Sequence, residues 1–181
     1  MWSEMEGKGG SVRTSRRSAP TAAPTTVNNE NVRGGDDMAR FVGNFEHTID
    51  DKGRLILPSS FRPKLADGAY ITPLDHCLAI LPTEEFDRMA ERLEAQVSAG
   101  EVEVNALRHF ASQADEVTPD SQGRVRLLPH LRELGGLDRT VIVTGALRRI
   151  EIWDIGRWND LGTAGAEQLA NAIEKGHGFG P

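Results

Sequence analysis

The chain has 181 residues, 38% hydrophobic and 27% charged, which suits one compact domain or two small ones in a soluble globular protein. No apolar run approaches the roughly 20 residues that span a bilayer, no apolar leader opens the chain, and the single cysteine, Cys77, excludes an internal disulfide and any cysteine-rich metal site. The net charge of −6, from 21 basic and 27 acidic residues, argues mildly against a polyanionic partner yet leaves room for basic charge that is local and repeated.

Residues 1–37 read as a disordered extension, rich in Gly, Ser, Thr, Pro and Asn and too poor in large apolar side chains to offset the entropy of ordering. Arg13, Arg16 and Arg17 make a small basic cluster there, either a weak nucleic-acid arm or a solvated tail. Met38 stands just before the first structured run and is an alternative start. From Phe41 the texture changes. In "FVGNFEHTIDDKGRLILP" strand-formers alternate with polar residues around a hairpin or tight turn at "KGR", where Gly53 supplies a permissive backbone, and "LILP" reads as a short buried strand. "SSFRPKL" predicts a helical turn or two, capped by Ser59 or Ser60, with Phe61 and Leu65 on one face. "AYITPL" and "CLAILP" are two more strands joined through "DH", with Cys77 a small core residue. This first unit spans 41–84.

A helical connector follows over 85–114. Thr83 is placed to cap its first helix, Glu84 and Glu85 suit a positive N-terminus, and Phe86, Met89, Ala90, Leu93 and Val97 form one apolar stripe that Gly100 closes. Leu107, Phe110, Ala111 and Ala114 mark a second helix. A second unit is expected over 115–158 and a helical tail over 159–181, in which "AEQLANAIEK" is a short helix and "GHGFGP" a frayed end.

The two units repeat one phrase. "DDKGRLILP" returns as "DSQGRVRLLP", matching Asp120 to Asp50, Gly123 to Gly53, Arg124 to Arg54 and Leu131 to Phe61. After a two-residue shift, Ile150 and Ile152 fall on Leu78 and Ile80, and Trp158 on Phe86. The register holds through some 40 residues, so the chain carries an internal duplication. One copy is too small for a good core, whereas two can pack about a pseudo-two-fold axis and share one. Each Gly-Arg turn then presents a guanidinium at a fixed place, an arrangement suited to a periodic anion such as DNA. The same spelling also describes a plain turn in which the aspartate bonds the backbone and the arginine is solvated, and the residues alone leave both readings open.

"FVGNFEHTIDDKGRLILPSSFR", "DSQGRVRLLP", "IEIWD" and the helical connector between them, in that order, resemble the MraZ family of bacterial transcriptional regulators from Met38 to about Asn159. The resemblance implies an α+β, mainly β fold: two tandem SpoVT–AbrB-like repeats with swapped hairpins about a pseudo-two-fold axis. It implies a ring homo-oligomer, octamer or dodecamer, bound to direct repeats of double-stranded promoter DNA. It implies repression of the chain's own division and cell-wall operon, in the cytoplasm at the nucleoid. It assigns DNA contact to Lys52 and Arg54, with Arg124 next, and turn-shaping to Asp50, Gly53, Asp120 and Gly123. Gln122 replaces the lysine of the first copy, so the second tip carries less charge. His47, before the turn, reads as structural or as a phosphate contact.

An enzyme finds poor support, with no phosphate-cradling loop, no His-x-x-x-His spacing and five scattered histidines, so no cofactor or metal is expected. Two other readings are an AbrB-type antitoxin or transition-state regulator, and an assembly protein that has lost DNA binding.

Overall fold

The computed structural model describes residues 40–175; the extension expected at 1–37 and the expected frayed end lie outside them. The strands are β1 (Asn44–Thr48), β2 (Arg54–Ile56), β3 (Ala69–Leu74), β4 (Cys77–Pro82), β5 (Asp115–Val117), β6 (Arg124–Arg126), β7 (Thr140–Gly145) and β8 (Ile150–Asp154). The helices are α1 (Thr83–Ser98), α2 (Val104–Gln113), α3 (Pro129–Gly135) and α4 (Ile155–Glu174), and a 3-10 turn occupies Arg62–Leu65. Among the described residues, no helix is long and apolar enough to cross a membrane.

The expected α+β, mainly β class and its interlocked repeats are what the strands form. An antiparallel sheet runs β1-β7-β8-β4-β3-β5, and β2 pairs with β6 in a separate ribbon. The turn at "KGR" therefore reverses the chain without making a hairpin. β1 leaves its own unit to pair with β7, and β5 crosses back to pair with β3. Exchanging each strand for its counterpart in the other unit reads the sheet order backwards, as a two-fold axis requires. The registers locate that axis: Leu55 pairs with its own counterpart Val125, and Ala79 with its counterpart Glu151. Leu78 faces Ile152 and Ile80 faces Ile150.

Both units feed one core. Leu55, Leu57 and Phe61 of the first are fully buried beside Val125, Leu127 and Leu131 of the second, with Leu78, Ile80, Ile150 and Ile152 across the axis. Each such side chain contributes about 1.5–3 kcal/mol by leaving water. The strand expected to be wholly buried is not: Ile56 is 47% exposed, because β2 alternates with its neighbours Leu55 and Leu57 turned inward. Cys77 lies in a second small cluster with Ile142 and Trp153, and burial pushes its thiol up to about 12, which suits a core residue.

Three local expectations are corrected. Ser59 and Ser60 cap nothing, since Phe61 precedes the 3-10 turn and Pro63 fixes its start. Thr83 is already helical, because β4 runs straight into α1 through Pro82; its hydroxyl donates instead to the Asp67 carbonyl at 3.5 Å. The tail helix is not short. Asp154 accepts from the N–H groups of Gly156 (2.9 Å) and Arg157 (3.4 Å), starting one continuous helix of 20 residues. Gly162 and Gly165 hid it from a propensity reading. The apolar stripe of α1 does pack: Phe86 stacks on Tyr70 at 4.2 Å and on Phe110 of α2 at 5.2 Å.

Candidate nucleic-acid interface

Each tip is built by one aspartate. Asp50 Oδ1 accepts from the backbone N–H groups of Lys52 (2.9 Å) and Arg54 (2.8 Å). Its Oδ2 accepts from Arg54 Nε (2.8 Å) and meets Nη2 at 2.7 Å. Asp120 repeats this set on Gln122 and Arg124. The hydrogen bonds from Arg54 hold Asp50 at about 2, and those from Arg124, led by its backbone N–H, hold Asp120 at about 2. Both carboxylates are thus ionised at neutral pH.

Gly53 (φ +72°) and Gly123 (φ +75°) close the turns in the left-handed region. Each also lies against the opposite unit. Leu127 N–H donates to the Gly53 carbonyl (2.8 Å) and Leu57 N–H to that of Gly123 (2.9 Å), which ties the two tips side by side. A Cβ on Gly53 would stand 3.0 Å from the Leu127 carbonyl, and one on Gly123 would stand 2.1 Å from Arg62 Nε. Arg62 and its counterpart Arg132 thus each lie behind the other unit's tip, and Arg62 Nε is fixed there by the Leu57 carbonyl at 2.8 Å.

The structure brings Arg54 and Arg124 together with a residue the sequence reading missed. β2 and β6 form a two-stranded ribbon whose inward positions are Leu55 and Val125. The positions left outward are Arg54, Ile56, Arg124 and Arg126. Arg54 stands directly opposite Arg126, and Ile56 opposite Arg124. Lys52 is exposed beyond the end of β2, and Gln122 holds the same place in the second unit. Arg54 and Arg124 are each partly neutralised and oriented by their aspartate, with Nη1 turned to no hydrogen-bond partner among the described residues. Arg126 makes no ion pair there. The available signal was the strand period: "RLI" and "RVR" put positions 54, 56, 124 and 126 on one face. His47 lies half-buried in β1, and burial, aided by the Arg62 charge, lowers its affinity for a proton.

Comparison with known proteins agrees with this duplicated architecture. The family model described as "MraZ protein, putative antitoxin-like" matches residues 40–108 and again residues 110–176. A protein of Salinispora tropica named transcriptional regulator MraZ is 42% identical over 137 residues, covering 75% of this chain and 96% of that protein. One of Clavibacter michiganensis with the same name is 38% identical over 136 residues, covering 75% of this chain and 95% of that protein. A third, of Mycolicibacterium gilvum, is 37% identical over 140 residues, covering 76% and 97%. The two segments matched by the family model include the two tips, both strands of the ribbon and the helices between them, and the chain belongs to the MraZ family.

Proposed function

We propose that the chain is a DNA-binding transcriptional regulator and that the β2–β6 ribbon is its reading element. The observation that carries this is the crowding of Arg54, Arg124 and Arg126 on the outward face of one antiparallel ribbon. Arg54 keeps only part of its charge beside Asp50, but the Arg126 opposite it has no offsetting ion pair among the described residues, so this face suits an anionic ligand. A two-stranded β-ribbon fits the major groove of B-form DNA. Asp50 and Asp120 pre-orient Arg54 and Arg124, leaving the outer edge of each guanidinium for a guanine or a phosphate. Lys52 and Arg126 supply phosphate contacts on either side. The names of the relatives support regulation of transcription as the setting.

In this reading the chain acts without catalysis, in the cytoplasm at the nucleoid, and represses its own operon. It works as a ring homo-oligomer whose subunits engage successive direct repeats, so that weak single contacts multiply through effective concentration and overall acidity is no obstacle. The test is fluorescence anisotropy with the DNA upstream of the gene. Arg54→Ala and Arg126→Ala should each weaken binding by about tenfold or more, and Arg126→Ala should lower the salt slope by about 1. The mass of the assembly should not change. Parent-like affinity in both variants at low salt would refute the assignment.

A further inference from the structure

Behind the aspartates and glycines of the two tips stands a third pair of residues. Leu57 N–H donates to the Gly123 carbonyl (2.9 Å), and the carbonyl of the same Leu57 accepts from Arg62 Nε (2.8 Å). The Arg62 side chain then lies over Gly123 so closely that its Cδ, Nε and Cζ fill the place a Cβ would take there. Glycine at 123 therefore serves two ends. It adopts a positive φ, and it opens the slot that a guanidinium from the other unit fills. Arg132 repeats the placement behind Gly53, where its Cζ and Nε stand 3.8 Å from the Cβ position. The copies differ in one bond: Arg132 Nε is buried with no hydrogen-bond partner among the described residues, so it lacks the tie that fixes Arg62.

Unlike Arg54 and Arg124, neither Arg62 nor Arg132 forms an ion pair among the described residues. Both are half-buried. A cation taken partly out of water without a counter-charge costs free energy, and so does a buried donor left unpaired. A plain structural strut would cost less as an apolar side chain. A polyanion brought against the tips offsets that cost, because its field acts on both guanidiniums.

We propose that Arg62 and Arg132 are positioning residues for DNA binding, each setting the tip of the other unit: Arg62 sets Arg124, and Arg132 sets Arg54. The proposal rests on the DNA reading above and deepens it. Arg124 follows Gly123 directly, and a bidentate contact with a base edge or a phosphate tolerates little displacement of the backbone that carries it. With Arg62 seated over Gly123 the second tip is held out from the core; without it an empty slot lies behind the turn. Each unit thus sets the reach of the other unit's arginine, and the two tips meet DNA as one body.

Double-mutant cycles on the full chain test this crossing, with affinity for the DNA upstream of the gene read by anisotropy at low salt. Arg62→Gln should weaken binding by about tenfold in the parent and in Arg54→Ala, whose tip it does not serve, but by no more than about twofold in Arg124→Ala. Arg132→Gln should show the mirror pattern, its effect kept in Arg124→Ala and lost in Arg54→Ala. Loss of charge alone, or a general loosening of the fold, would act equally in both backgrounds, so the crossing separates positioning from either. Arg62→Lys keeps the charge and the aliphatic stem but not the planar group over Gly123. It serves if Arg62→Gln fails to fold, and should show the same crossing at about threefold. Equal losses in both backgrounds, or parent-like affinity of Arg62→Gln and Arg132→Gln, would overturn the proposal and leave the DNA reading in place. A parent that binds no promoter DNA would end both.

Discussion

Gly53 and Gly123 have positive φ and stand against the neighbouring unit, so an added methyl group meets both a backbone penalty and a neighbour. Gly53→Ala should cost about 1–2 kcal/mol from conformation alone. The contact adds to it, because Leu127 O is backbone and cannot swing away. In Gly123→Ala the neighbour is the Arg62 side chain, which must give up its bond to Leu57 O. Urea unfolding of the two variants would measure both losses. The aspartates add a pH dependence. Their folded values near 2 lie below the ordinary 3.8, so their stabilisation is complete above about pH 4 and is lost as pH falls toward 2. Asp50→Asn should therefore flatten the acid limb of a melting-temperature profile against pH, leaving the limb contributed by Asp120. These four residues were legible from sequence because a turn of this type is written locally, in carboxylate spacing and a glycine.

The ribbon was legible only in part, because its pairing is not local. "LILP" shows a strand but not which strand lies beside it, and Arg126 gains its meaning from standing opposite Arg54. Arg62 and Arg132 were hidden for the same reason: each works behind the other unit's tip. The helical connector was the easier case, since a 3.6-residue stripe announces its own face. That stripe carries a prediction. Phe110 is the main aromatic tie of α2 to α1, so Phe110→Ala should cost about 1–3 kcal/mol. Hydrogen exchange should show α2 opening first while the sheet stays protected, because α2 contributes no residue to the main core.

At the scale of the whole molecule, the duplication seen in the sequence becomes an exchange of strands. Among the described residues, β1 has its only sheet partner in the second unit and β5 in the first. Neither half is therefore a domain in the sense of folding alone. Residues 40–113 and 115–175, expressed as separate chains, should stay unfolded or pair, and co-refolding them should yield an equimolar complex with the sheet restored. Sedimentation and circular dichroism check this, and a folded monomeric half would contradict it. The sequence showed that there were two copies, but which copy owns each strand depends on long-range pairing that no local pattern encodes.

The symmetry of the ribbon is broken at two paired places. Lys52 answers to Gln122, and Ile56 to Arg126, so one unit carries its extra cation on the turn and the other carries it on the strand. The ribbon thus has polarity. Turned end for end on a DNA duplex, it would present a lysine where a glutamine had been and an arginine where an isoleucine had been. In the ring proposed above, the copies would all point the same way around the assembly, like arrows on a wheel. Such an assembly distinguishes the two directions of reading along a double helix, and half-sites written tip to tip would suit only every second subunit.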